Sequence, residues 1–324
     1  MTDDSTGPRR RDTVRPGDRR GLTPAAVPPA VRFDERRRPE LRRRRRDGSL
    51  ERLRKGVYLA PVAGDGGVAR RRQDELLRRV RAVESRLDVD HWFSHTTAAV
   101  LHGCWTWRLS AVVHLTQLRP PNQSQVRERD LHRHWTTLPP RDRTDVGGIP
   151  VTTLERTVVG CARLVPPGQA LVVADSAVRG GADVELIADI LDESAGKRGV
   201  VRARTVLDLV DPRSESPGES VLRWTLHDEG LPRPEVGLAV DTRLGTFWLD
   251  LAWPEQRVAV EFDGLVKYSG GDYGDPSARV VAEKARQDAL EEAGWVVIRV
   301  VWSDLAEGAA LAERIRLALR RRHR

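Results

Sequence analysis

Two acidic residues in the last third of the chain, Asp250 and Glu261, sit in strand-like segments that a hairpin would bring face to face. In Thr246–Trp253, the residues Phe247, Leu249, Leu251 and Trp253 alternate with Trp248, Asp250 and Ala252; in Arg257–Asp263, Val258, Val260 and Phe262 alternate with Ala259, Glu261 and Asp263. A period of two puts each set on one face of a strand. If Pro254–Arg257 closes a tight turn, Trp253 meets Val258, Leu251 meets Val260 and Leu249 meets Phe262. All the apolar pairs then land together, which is how register is specified. The same register sets Asp250 opposite Glu261, with Cβ atoms roughly 5 Å apart, and Asp263 lies two residues further along that face. Two carboxylates so close repel unless a proton or cation lies between them. Hard oxygen ligands at this separation suit Mg²⁺ or Mn²⁺, and such an ion polarises a phosphodiester and activates water. Glu219, at the start of the preceding helical stretch, would add a further carboxylate. The competing reading is an acidic, solvent-facing stripe on a half-exposed hairpin.

A second set of residues suits phosphate contact. The run Arg42, Arg43, Arg44, Arg45 and Arg46 is followed by Arg52, Arg54 and Lys55, and cationic surfaces gain affinity for nucleic acid by releasing counterions from phosphates. Residues 1–60 hold 18 Lys/Arg against 9 Asp/Glu, whereas residues 217–309 hold 9 against 17, so the net charge of +8 is an N-terminal property. Arginine outnumbers lysine throughout, which coding bias would also produce. Other candidates are weaker. His91, His95, His102, His114, His132 and His134 crowd one stretch, with His91 and His95 at the spacing of one helix face, but no Cys, Asp or Glu stands at ligand spacing. Cys104 and Cys161, the only cysteines, fit no metal or redox motif. Gly64–Gly67 and Gly270–Gly274 match no phosphate loop and read as turns. The nine tryptophans are scattered, as core anchors are.

The elements that would position these residues follow from pattern. Residues 1–35 read as a disordered basic arm, too poor in aliphatics to offset ordering entropy. Arg36–Asp47 predicts a short helix closed by Gly48, and Ser49–Arg54 and Val57–Ala60 predict a hairpin turning at Lys55-Gly56. Helix followed by hairpin makes 36–64 a partial winged-helix unit. Leu76, Val80, Val83 and Leu87 recur at helical spacing, and with the strand patterns Val112–Leu118 and Leu131–Trp135 they make 65–210 an α+β middle domain. Asp211–Gly218 reads as a linker. In 219–324, the order strand, loop, helix (Arg279–Glu292), strand (Trp295–Trp302) predicts a parallel pair in a mixed sheet flanked by helices, an α/β domain. No run approaches the ~20 apolar residues of a membrane span, and no secretory pattern is present, so a cytoplasmic protein with no membrane partner is expected.

Three motifs in the last part, Val260-Glu261-Phe262-Asp263-Gly264, Lys284-Ala285-Arg286-Gln287-Asp288-Ala289-Leu290 and Gly294-Trp295-Val296-Val297-Ile298-Arg299-Val300, resemble a Vsr-like domain of the PD-(D/E)XK nuclease superfamily. The resemblance implies that Asp250 and Glu261 are the metal-binding acids and Glu219 the optional helical glutamate, with Mg²⁺ or Mn²⁺ as cofactor. The superfamily's lysine, two positions after the second acid, is here Asp263. Vsr repair endonucleases carry histidine there, so its absence does not exclude catalysis. Lys267 or Lys284 would reach the site instead, with Arg286 or Gln287 holding phosphate. Leu50–Leu59, Ser94–Gly103 and Val151–Val159 resemble AbiEi-type antitoxin regulators, with Gly160 standing where those proteins often carry aspartate. Together the resemblances imply a DNA-associated protein with a metal-dependent endonuclease domain. The alternatives are a non-catalytic regulator, with a protein partner of toxin–antitoxin type, or a nuclease acting on RNA by the same chemistry.

Overall fold

The computed structural model describes residues 21–62, 67–121, 128–264 and 276–322. The backbone divides into two compact units, one running from Gly21 to Trp224 and the other containing Thr225–Arg324. Among the described residues the fold is mixed α/β, with three sheets.

The first unit begins with a small subdomain. Helix α1 (Arg38–Arg46) carries proline in its first turn and buries only Leu41; Gly48 (φ 77°) follows it. Strands β2 (Glu51–Arg54) and β3 (Val57–Leu59) form a hairpin whose turn places Gly56 at φ 78°, a conformation that costs glycine nothing. Strand β1 (Val31–Arg32) pairs with β3, giving the order β1-β3-β2. Leu41, Leu50 and Tyr58 form its core, with Val31 packed against them.

The segment from Gly21 corrects the expectation of a disordered arm through residue 35. Leu22 packs against one core cluster and Ala25 and Val27 against another, the Ala25 amide donates to the Leu101 carbonyl (3.0 Å), and Val31–Arg32 is a strand. Four spaced apolar residues suffice because they enter grooves already formed by other elements. Gly103 marks the crossing: a Cβ there would lie 2.0 Å from the Thr23 carbonyl oxygen. Residues 1–20 lie outside the described residues.

After α2 (Val68–Glu84) comes a five-stranded sheet built from β4 (Trp92–Phe93), β5 (Val113–Gln117), β6 (Leu131–Trp135), β7 (Arg143–Val146) and β8 (Ile149–Thr152), in the order β6-β5-β4-β8-β7. Helix α3 (His95–His102) follows β4 directly. Four helices, α4 (Leu154–Leu164), α5 (Pro167–Arg179), α6 (Val184–Asp192) and α7 (Val200–Asp208), form a helical layer around a core that includes Cys161, Leu171 and Ile190. The stretch 211–218 is not an open linker. Asp211 and Ser214 are buried, the Asp211 amide donates to Asp175 Oδ1 (2.9 Å), and the Arg223 guanidinium bonds Asp175, Ser214 and the Leu209 carbonyl. The boundary between units falls later, inside helix α8 (Pro217–Asp228).

The second unit is a four-stranded sheet in the order β12-β11-β10-β9, made of β9 (Glu235–Thr242), β10 (Gly245–Trp253), β11 (Val258–Phe262) and β12 (Val296–Val300). Helices α9 (Pro276–Glu292) and α10 (Gly308–Arg322) complete it. β11 and β12 are parallel. The β10–β11 hairpin has the expected register, with Leu251 opposite Val260 and Trp253 opposite Val258. The expected strict alternation through β10 fails at Asp250. Leu249 and Ala252, three residues apart, join one core cluster with Leu290 and Trp295, so the strand changes face between them. Gly237, at φ 63°, interrupts β9 at the same level, between the partners of Leu249 and Leu251. That glycine breaks the pattern that would have marked β9 in the sequence.

Candidate functional site

The acid pair of the second unit is held by a cation of the protein's own. Arg286, on α9, forms a two-pronged ion pair with Glu261: its Nη1 donates to Oε2 at 2.8 Å and its Nη2 to Oε1. Nη2 also donates to the Trp248 carbonyl (3.3 Å), and the guanidinium lies 5.5 Å from the centre of the Phe247 ring. The hydrogen bonds and charge of Glu261, then the charges of Glu283 (3.5 Å from Nη1) and Asp250, raise the Arg286 pKa against the effect of burial. Asp250 accepts the Phe262 amide proton at Oδ2 (2.9 Å), filling the gap where the ladder is interrupted. Arg286 thus supplies a cation to Glu261, with Asp250 close enough to add to its charge environment. As folded, the Glu261 carboxylate is occupied by Arg286 and Asp250 accepts a backbone amide, so a divalent ion at these acids would have to displace the guanidinium.

The remaining residues expected at this site are elsewhere or otherwise engaged. Glu219 closes a capping box at the start of α8, where its carboxylate accepts from the Glu215 amide (2.8 Å) and the Ser216 hydroxyl (2.9 Å) while Ser216 Oγ accepts from the Glu219 amide (3.2 Å). It belongs to the other unit from Asp250 and Glu261. Asp263 follows β11 and donates its amide to the Val300 carbonyl (2.8 Å). Lys284 is exposed on α9; two residues before Arg286, it points roughly 200° around the helix from it. Gln287 bonds Glu291 (2.9 Å) instead of facing the acids. Lys267 lies outside the described residues.

Of the basic residues, Arg42, Arg43, Arg45 and Arg46 project from α1 into solvent, and Arg52 and Lys55 are exposed on the hairpin. Arg44 leans on Glu40 (3.7 Å). Arg54 is withdrawn from this surface, since its guanidinium pairs with Glu128 (3.2 Å) and Asp130 (3.0 Å).

A different cluster forms in the first unit, from histidines that show no ligand pattern along the sequence. Parallel pairing of β5 with β6 sets His114 beside His132 and Thr116 beside His134; with a period of two, all four side chains share one face. His95, at the start of α3, joins them. It has φ 53°, a conformation unusual for a side-chain-bearing residue and one that persists where surrounding contacts impose it. His114 Nδ1 and His134 Nε2 are 3.0 Å apart, and the rings of His95 and His134 stack with centroids 4.0 Å apart. His95 Nδ1 bonds Ser94 Oγ (2.9 Å), which in turn accepts from Thr116 Oγ1 (2.9 Å). One nitrogen from each of His95, His114 and His134 lies within 4.8 Å of the others, the only grouping of three such ligands among the described residues. Burial, then neighbouring histidines, lower the pKa of His114 to about 4 and of His134 to about 3, and burial lowers that of His95.

His91 is not on a helix with His95. It precedes β4, where its ring bonds the Val89 carbonyl (2.8 Å) and meets Phe93 edge-on. His102 bonds the Thr152 carbonyl (2.7 Å). The legible trace of the cluster was His132-x-His134 in a strand pattern, but the partner strand and its parallel register were needed to add His114.

His95 and His134 open onto a cavity of about 950 Å³ lined also by Arg156, Arg163, Lys197, Arg198 and Arg202, with no acidic residue among its described lining. Arg156 pairs with buried Asp142 (3.5 Å). Burial and the charge of Arg156 lower the pKa of Arg163, and burial with the charges of Arg156 and Arg163 lowers that of Lys197. Gly160 lines the same cavity from the middle of α4. A Cβ there would lie 3.1 Å from His95 Cδ2, so the absent side chain is what gives the imidazole room.

Among the described residues, no helix is long and apolar enough to cross a membrane. No family model matches the chain. It is 30% identical over 276 residues to uncharacterized protein MT2308 of Mycobacterium tuberculosis (strain CDC 1551 / Oshkosh), covering 83% of this chain and 92% of that protein. Uncharacterized protein Rv2248 of Mycobacterium tuberculosis (strain ATCC 25618 / H37Rv) matches with the same identity and coverage. At that identity and coverage, the chain belongs to the same protein family as these mycobacterial proteins.

Proposed function

We propose that the protein is a DNA-binding regulator whose nuclease-like second unit is non-catalytic. The observation that carries this reading is the row of four solvent-facing arginines on α1, a helix that buries only Leu41 and rests on a three-stranded sheet whose hairpin adds Arg52 and Lys55. A short helix backed by a hairpin is the docking unit of winged-helix proteins, and the exposed guanidinia suit phosphate contact. The engagement of Glu261 by Arg286 supports the non-catalytic half of the reading.

Titration of the full chain with labelled duplex DNA, read by fluorescence anisotropy across a salt series, tests it. Replacing Arg42, Arg43, Arg45 and Arg46 by Ala is expected to weaken binding and flatten the slope of log K against log[salt] by roughly 0.9 for each phosphate that is no longer neutralised. Unchanged affinity and slope would remove the proposal.

The competing reading, a metal-dependent endonuclease acting on DNA or RNA, draws on the β10–β11 hairpin, whose pairing of Leu251 with Val260 ends next to Asp250 and Glu261. Plasmid or structured RNA nicked in Mg²⁺ or Mn²⁺ by the wild type, but not by Asp250→Ala or Glu261→Ala, would establish it over the regulator.

A further inference from the structure

The histidine cluster is unrelated to DNA docking through α1, and its chemistry points to a ligand of its own. Three imidazoles converge with nitrogens within 4.8 Å, two of them 3.0 Å apart. Zn–N bonds of 2.0–2.1 Å in tetrahedral geometry require nitrogens about 3.3 Å from one another, so small ring rotations would complete the set. Three histidines with one position left open is the arrangement that keeps a metal accessible to a further ligand. The first supporting shell is present too, since His95 is tied to Ser94 and Ser94 to Thr116. A dication on imidazole ligands meets an excess of positive charge here: the cavity lining adds five basic side chains and no described acid, against Asp142 and Glu193 acting from outside the lining. This excess of positive charge favours an anionic occupant.

We propose that His95, His114 and His134 bind a divalent transition metal of the Zn²⁺ class, and that the cation-lined cavity takes a phosphate group whose oxygen occupies the metal's open position. Arg163 and Lys197 bind the remaining phosphate oxygens. Because the anion cancels the repulsion between metal and cations, the two ligands are coupled and each tightens the other.

The test uses the metal-stripped full chain, titrated with Co²⁺ as a spectroscopic probe in the presence and absence of inorganic phosphate, followed by visible absorption and calorimetry. One Co²⁺ per chain is expected, with phosphate raising its affinity about 5-fold or more, the lower range for coupled sites. His134→Gln should weaken Co²⁺ binding about 100-fold or more, beyond the loss seen for outer-shell partners. Gly160→Val, which crowds His95 from α4 without removing a ligand, should weaken it as well, and thermal melts of both variants establish that they fold. Lys197→Met with Arg163→Met should keep the metal and lose the phosphate effect. Absence of saturable Co²⁺ binding, Co²⁺ affinity unchanged in His134→Gln, or phosphate binding that ignores the metal would each overturn the proposal.

Discussion

The two units each gather like-charged or ligand-bearing groups, and they treat them oppositely. In the second, the repulsion between Asp250 and Glu261 is answered inside the fold by Arg286, which uses both guanidinium prongs on Glu261. In the first, Arg163 and Lys197 face the same cavity as Arg156; burial and the charge of Arg156 lower both pKa values, Arg163 lowers that of Lys197 further, and Asp142 and Glu193, outside the lining, offset this only in part. A cluster compensated from within has done its work when the chain folds. A cluster compensated only in part reduces stability until something binds, and such places are where ligands are to be sought. Removing a cation should therefore destabilise the second unit and leave the first unharmed or better off.

The largest effect is expected from Arg286→Met. Breaking a buried pair from one side costs about 3–5 kcal/mol; with Arg286 and Glu261 side chains 22% and 13% exposed, a loss nearer 2–3 kcal/mol is expected after solvent screening. Urea unfolding measures it. Adding Mg²⁺ to this variant sharpens the comparison: recovery of stability would mean that the vacated acids accept a divalent ion, and loss without recovery would mean that the arginine is structural alone. No loss would show that the acid pair needs no internal cation, and the contrast between units would collapse.

These differences trace what the sequence made legible. The register of β10 and β11 was readable because alternating apolar residues on both sides of one short turn allow a single pairing. The partner of Glu261 was not, because Arg286 arrives from a helix after a loop of unpredictable path, and the face change at Asp250 depends on Gly237 in a strand that carries no clean alternation. Helices with strong periodicity, such as Val68–Glu84, were legible from spacing. The histidine cluster was legible only as a crowding of histidines, for the converse reason: His95, His114 and His134 come from three elements, two joined by parallel pairing of β5 and β6 and the third at the start of α3. The failure of the arm prediction at Gly21–Arg32 has the same root, since Leu22 and Ala25 gain their burial from grooves formed far along the chain.

The histidines give the next effect, through pH. Their ordinary pKa of 6.5 falls to about 4 for His114 and about 3 for His134 in the folded chain. Below pH 6.5 the unfolded chain takes up protons that the folded one refuses, so stability falls with pH. It is fully present above about pH 6.5 and is lost progressively down to the folded-state values of about 4 and 3. Tm should drop by several degrees between pH 7 and pH 5, since each kcal/mol is worth about 2–4 °C in a protein of this class. His114→Gln with His134→Gln should flatten that part of the profile. A profile unchanged by the double substitution would show the rings to be protonated or exposed in solution, and the cavity would lose its neutral ligands.

The smallest effect has the opposite sign to the first. Lys197 is exposed, and its pKa is lowered by burial of part of its stem and by Arg156 and Arg163, with Glu193 and Asp142 opposing. Lys197→Met removes one of the mutually repelling charges while keeping much of the apolar stem. In the ligand-free protein at low salt this should raise Tm by about 1 °C, a few tenths of a kcal/mol being typical of exposed charges. The gain should shrink at high salt, where screening already weakens the repulsion, and should turn into a loss when Co²⁺ and phosphate are both present, because the anion's partner has then been removed. A destabilising Lys197→Met in the ligand-free protein would mean that the cavity's charges are compensated after all, as those of the acid pair are.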